Sequence, residues 1–149
     1  MNCMVWACPA LHVLVNNAAT YTRHRAVTAD GIETQLAVNH LAPFLLPMLL
    51  RADIPARVVT VSSEAHRGAR LDWDNLQGER GCGGLRAYGN SKLANLLFTR
   101  ELARRLAGMG VTVNALHPGG VGTELLSGGW VPLRPFAPFC APRSAGRAR

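Results

Sequence analysis

Lysine is almost missing from this chain of 149 residues: of its 16 basic side chains all but Lys92 are arginine. One ammonium kept amid so many guanidinium groups points to chemistry that arginine cannot supply, a compact charge whose pKa can shift. Cysteine is sparse as well, and Cys3, Cys8, Cys82 and Cys140 fall in neither a CxxC nor a metal-ligand spacing. That excludes a zinc ribbon or a dithiol motif and leaves free thiols in a reducing, intracellular (cytoplasmic) compartment as the expectation. No apolar run reaches the roughly 18 residues of a membrane span. The nearest, residues 41–50, is interrupted by Pro43 and Pro47. Residues 1–10 have no basic start, which argues against a secretory leader. Aromatic residues make up 6 %, and they are not interleaved with the basic ones. The net charge of +7 therefore does not read as a nucleic-acid surface, the more so because Arg134, Arg143, Arg147 and Arg149 lie in a Pro/Gly/Ala-rich tail.

What is present is a pattern for one domain with a core, at 48 % apolar content. Three short apolar, β-branched runs occupy residues 11–15, 57–61 and 111–116. Each is nearly continuous, as strands buried on both faces of a parallel sheet are. Residues 31–51 and 87–107 carry helical periodicity between them, and the stretch 93–98 is apolar almost all round, which suggests a helix packed between the sheet and a partner subunit. Strand and helix alternate as in a doubly wound α/β sheet. The connection 64–86 is long for a compact domain and is expected to carry a small element of its own, anchored by its Leu71–Leu76 cluster.

Ligands of open parallel sheets sit beyond the carboxyl ends of the strands, and all three exits here are polar or glycine-rich. They are Asn16-Asn17-Ala18-Ala19, Ser62-Ser63 and His117-Pro118-Gly119-Gly120. Lys92 follows Tyr88 by one helical turn, so a cation stands on the same face as a phenol that ordinarily ionises near pH 10. The same spacing also occurs as a plain surface pair. Its surroundings decide between the two.

Those surroundings resemble the short-chain dehydrogenase/reductase family, and within it the retinol dehydrogenase-like reductases. The motifs fall in family order: Asn-Asn-Ala after a strand, Val38-Asn39-His40, Val61-Ser62-Ser63, Tyr88-x-x-x-Lys92, and Pro118-Gly119 followed by Thr123. Ser62-Ser63-x-Ala65-His66, Ser91-Lys92-Leu93-Ala94-Asn95 and Phe98-Thr99-Arg100-Glu101-Leu102-Ala103 carry the retinol dehydrogenase flavour. The resemblance implies a hydride transfer between NADP(H), or NAD(H), and a hydrophobic alcohol, aldehyde or ketone. It implies that Tyr88 exchanges the proton, that Lys92 lowers its pKa and holds the nicotinamide ribose, that Ser63 binds the same substrate oxygen, and that Asn39 positions water for a proton relay. Asn16, Ala18, Pro118, Gly119 and Thr123 would lie along the cofactor. The apolar stretch 93–98 makes a homodimer through the helix 88–106 an expectation, and the resemblance implies full-length relatives that associate with membranes.

The family's Thr-Gly-x-x-x-Gly-x-Gly loop does not occur in these residues. Gly81 to Gly84 and Gly108 to Gly110 are glycine-dense, but neither follows a strand and opens a helix. The expectation is a partial Rossmann-type sheet without its first βαβ unit, spanning residues 11–125 between an atypical lead-in (1–10) and a divergent disordered tail (126–149). Such a chain keeps the Tyr/Lys half of a site and loses the pyrophosphate cradle. A catalytically inactive truncated isoform is the alternative reading.

Overall fold

The computed structural model describes residues 11–50 and 56–119. The expected lead-in and tail, with Gly120 and Thr123, lie outside them. Three strands, β1 (Val13–Asn16), β2 (Arg57–Val61) and β3 (Thr112–Leu116), form a parallel sheet in sequential order. Val13 pairs with Arg57 and Arg57 with Thr112, so the three exits end level with one another.

The first crossover is one helical rod of three parts, α1 (Thr34–Leu36), a π-helical turn (Ala37–Leu41) and α2 (Ala42–Leu49). Glu33 caps its start, its carboxylate accepting from the Leu36 N–H at 2.7 Å. The second crossover is α3 (Gly84–Arg105), which packs on β2, β3 and the first rod. Val58, Phe98, Leu102 and Leu106 form the buried cluster, with Leu14, Val111 and Val113 against it.

Both helices therefore lie on one face of the sheet, as crossovers of one hand between sequential strands require. Among the described residues no helix covers the opposite face, although the apolar runs lead one to expect cover on both sides. Side chains alternate across a strand, so Val13, Val15 and Leu116 point away from the helices and are 46 %, 54 % and 47 % exposed. Leu97 of α3 is exposed too, so residues 93–98 are not buried all round among the described residues.

The long connection holds two short 3-10 turns, Glu64–Gly68 and Trp73–Asn75. Leu71 and Leu76 face a water-sized cavity with Leu36, Cys82 and Ala87, while Trp73 is exposed. A distant segment sets the start of α3: the Gly84 N–H donates to the Arg23 carbonyl at 3.2 Å, and Gln35 Nε2 donates to the Gly84 carbonyl at 3.0 Å. The backbones approach so closely that a Cβ on Gly84 would stand 2.0 Å from the Thr22 oxygen. Gly84→Ala is accordingly expected to destabilise the fold by about 1–3 kcal/mol in urea titrations.

Candidate functional site

Tyr88 and Lys92 occupy successive turns of the buried face of α3, beside the exit of β2. Lys92 is 2 % exposed, its Nζ donating to the Val61 carbonyl at 3.0 Å and standing over the Tyr88 ring, 5.5 Å from its centre. The same strand end grips the helix backbone, because Ser62 Oγ donates to the Lys92 carbonyl at 3.0 Å. Ser63 follows in extended conformation and accepts from the Ala65 N–H at 3.3 Å, its hydroxyl near enough to the Tyr88 phenol to lower the phenol's pKa. Tyr21 packs edge-on against the Tyr88 ring at 6.0 Å.

Burial pushes the Tyr88 phenol above its ordinary value of 10.0, with the neighbouring Ser63 pulling in the opposite direction. Burial likewise lowers the Lys92 ammonium from 10.5. The Lys92 ammonium donates to the Val61 carbonyl and stands 5.5 Å from the ring centre, and for the phenol loss of solvent outweighs the effect of Ser63.

Asn39 is fully buried in the π-helical turn. Its Oδ1 accepts from the Thr20 N–H at 2.7 Å, and its Nδ2 donates to the Thr20 carbonyl at 2.9 Å and to Ser91 Oγ at 3.1 Å. The amide thus braces the β1 exit against α3, and both of its N–H donors are taken. Asn16 is turned toward the helices, where its Nδ2 donates to the Pro43 carbonyl at 3.5 Å.

The two prolines explain both asparagine contacts. Proline has no N–H, so Pro43 cannot pair with the Asn39 carbonyl four residues back, nor Pro47 with that of Pro43. Asn95 Nδ2 reaches the first at 2.7 Å and Asn16 Nδ2 the second. Ala18, Pro118 and Gly119 are exposed at the exits of β1 and β3, and Gly119 has a φ of 79° that favours glycine.

Residues 3–129 match the family described as short chain dehydrogenase. The chain belongs to the short-chain dehydrogenase family. Among curated relatives it is 46 % identical to retinol dehydrogenase 12 of Mus musculus over 91 % of its own length, and 52 % identical to retinol dehydrogenase 12 of Homo sapiens over 78 %. It spans 45 % and 38 % of those two proteins, less than half of each. A crystal structure of an uncharacterised Mycobacterium paratuberculosis protein superposes over 80 % of this chain and 46 % of that one, with a TM-score of 0.71 at 43 % identity. A Burkholderia cenocepacia short-chain dehydrogenase in complex with NADP superposes over 78 % of this chain and 44 % of that one, with a TM-score of 0.60 at 28 % identity. The three parallel strands with their two crossovers are thus part of a Rossmann-type sheet.

Sequence reasoning for this short-chain dehydrogenase passed over Ser62, Ser91 and Asn95, at most 3 % exposed: the serines bond the Lys92 and Tyr88 carbonyls, and Asn95 bonds that of Asn39. Their signal was polarity on the otherwise apolar face of α3 and at the end of β2. A nicotinamide group fits the described residues in part. The exits of β1 and β3 are open, and Tyr88 and Lys92 lie between them, while the sequence holds no glycine-rich loop to take a pyrophosphate. Among the described residues no helix is long and apolar enough to cross a membrane, and no group of three acidic, histidine or cysteine side chains could hold a metal.

Proposed function

We propose that these residues are the proton-handling half of an oxidoreductase that interconverts a hydrophobic alcohol with its aldehyde or ketone, a retinoid being the favoured class. NADP(H), or NAD(H), supplies or accepts the hydride when bound. Tyr88 moves the proton at the substrate oxygen, Ser63 hydrogen-bonds that oxygen, and Lys92 keeps a positive charge beside the phenol. Lys92, Ala18, Pro118, Gly119 and Thr123 are the residues that would hold the nicotinamide end. Asn39 supports the site by keeping β1 and α3 in register, and any ordered water it serves would meet the remaining lone pair of Oδ1. The observation that carries this reading is the buried lone lysine set 5.5 Å from the centre of the Tyr88 ring at the carboxyl ends of parallel strands, where Ser63 leaves β2. A homodimer through α3 belongs to the same reading, supported by Leu85 and Leu97 at 64 % and 46 % exposure.

A second reading is favoured by the missing phosphate loop: an inactive short form that keeps only the Tyr/Lys half. Two measurements on the 149-residue chain separate them. Fluorescence titration with NADPH is expected to show no saturation, because the sequence holds no Thr-Gly-x-x-x-Gly-x-Gly loop to cradle the pyrophosphate. Turnover of retinaldehyde is expected to be slow and to rise linearly with NADPH concentration. Saturation in the micromolar range would overturn the argument from the missing loop, and zero slope would favour the inactive form.

A further inference from the structure

The turn that follows Ser63, Glu64–Gly68, is fastened from three directions. From within, the Ser63 carbonyl accepts two hydrogen bonds from His66, one from its backbone N–H at 3.1 Å and one from its ring Nδ1 at 2.6 Å. From β3, His117 Nε2 meets the Glu64 carboxylate at 2.8 Å, and the same carboxylate pairs with Arg67. From α3, Gly89 comes so near that a Cβ there would stand 2.7 Å from the Ala65 oxygen.

These fastenings differ in strength. The Glu64 pairs are about half exposed, and exposed ion pairs hold geometry weakly. His66 is partly buried, and its ring bond is short. A carbonyl can only accept, so Nδ1 carries the proton in that bond. The neutral ring is thereby held as the Nδ1–H tautomer, the less common form of free histidine.

We infer that His66 is a positioning residue for Ser63: its ring fixes the Ser63 carbonyl, hence the peptide plane, hence the direction of the hydroxyl that meets Tyr88. The inference rests on reading Ser63 and Tyr88 as the proton-handling pair. It goes further by giving a loop histidine, three residues beyond the serine, the task of aiming it. Catalytic hydrogen bonds need this support, because displacement of a group by about 1 Å can remove most of its effect. Without the ring, one backbone N–H would be left to hold that carbonyl, in a 3-10 turn of poor hydrogen-bond geometry.

Ring nitrogen spectra of the full chain, labelled with 15N-histidine, test this directly. Five histidines are present, and His66→Asn identifies the signal of His66 by its loss. The expected result is a proton on Nδ1; a proton on Nε2 overturns the inference without any variant having to fold. A second readout follows Tyr88 ionisation with 13C-tyrosine, which is simple because Tyr21 is the only other tyrosine. His66→Phe should move the Tyr88 midpoint upward, since the Ser63 influence that opposes the effect of burial is loosened, and His66→Asn, with an amide donor near the place of Nδ1, should bring it back. An unmoved midpoint in His66→Phe would also overturn the inference. Absence of retinaldehyde turnover would sink the functional reading alone, leaving the tautomer and the midpoint where they are.

Discussion

Tyr88→Phe lowers the slope of retinaldehyde turnover against NADPH concentration by about 10²–10⁴-fold, the range spanned by a positioned acid or base. The substitution removes one oxygen and little else. The ring stays buried, keeps its edge contact with Tyr21 at 6.0 Å, and still lies beneath the Lys92 ammonium at 5.5 Å. What disappears is the hydroxyl whose pKa the neighbouring Ser63 lowers. Loss of one hydrogen bond costs about 0.5–1.5 kcal/mol, so thermal unfolding should move by a few degrees at most. A variant that keeps a tenth or more of the wild-type slope, with its fold intact, would remove Tyr88 from the reaction.

Lys92→Arg is expected to fail twice, in turnover and in stability. The lysine is 2 % exposed, and its Nζ is already within 3.0 Å of the Val61 carbonyl, so a longer, planar head has nowhere to go. Overpacking of this kind costs about 1–3 kcal/mol. The guanidinium also stays protonated at every working pH, whereas burial lowers the pKa of the lysine from 10.5. Turnover should fall by at least about 10²-fold, as for other displaced acid–base partners.

The pH dependence of stability gives the second readout. Between the lowered folded value of Lys92 and 10.5, the unfolded chain holds more protons than the folded one, so the lysine's contribution to stability rises with pH across that window. Tyr88 acts with the opposite sign: above 10.0 the unfolded chain loses the phenol proton first, and stability falls until the raised folded value is passed. Arginine does not titrate there, so the variant should lose the rise and keep the fall. Urea midpoints measured at increasing pH in both proteins decide it. Near-normal turnover, or an unchanged rise, would sink the role given to this lysine.

Much of this was legible in the residues themselves. β2 begins and ends where its β-branched run does, at Arg57 and Val61, because a central strand is defined by its own apolar pattern. β1 begins at Val13 rather than at residue 11, because pairing with Arg57 sets its register, a contact 44 residues away that local pattern cannot contain. α3 starts at Gly84, earlier than helical periodicity alone indicates, since the Arg23 carbonyl and Gln35 hold its first turn. Tyr88, Lys92 and Ser63 could be read because their types and order are restrictive. The roles of Asn16 and Asn39 came from the resemblance alone, and the contacts of their amides were not legible in the residues. Both lie at an end of the site, but their amides serve proline-freed or loop backbone groups, and the needed clue was the spacing of Pro43 and Pro47.

The single lysine, so deeply set, has a practical corollary. A lysine-specific endoproteinase has one possible cut in this chain, after Lys92, inside a helix of 22 residues whose neighbouring Ser91, Ala94 and Asn95 are also buried. A protease needs several residues of unwound chain, which fraying at either end of α3 would not provide. The rate of that one scission therefore clocks the opening of α3 away from the sheet, and the protein carries its own gauge of whether the Tyr/Lys platform is assembled.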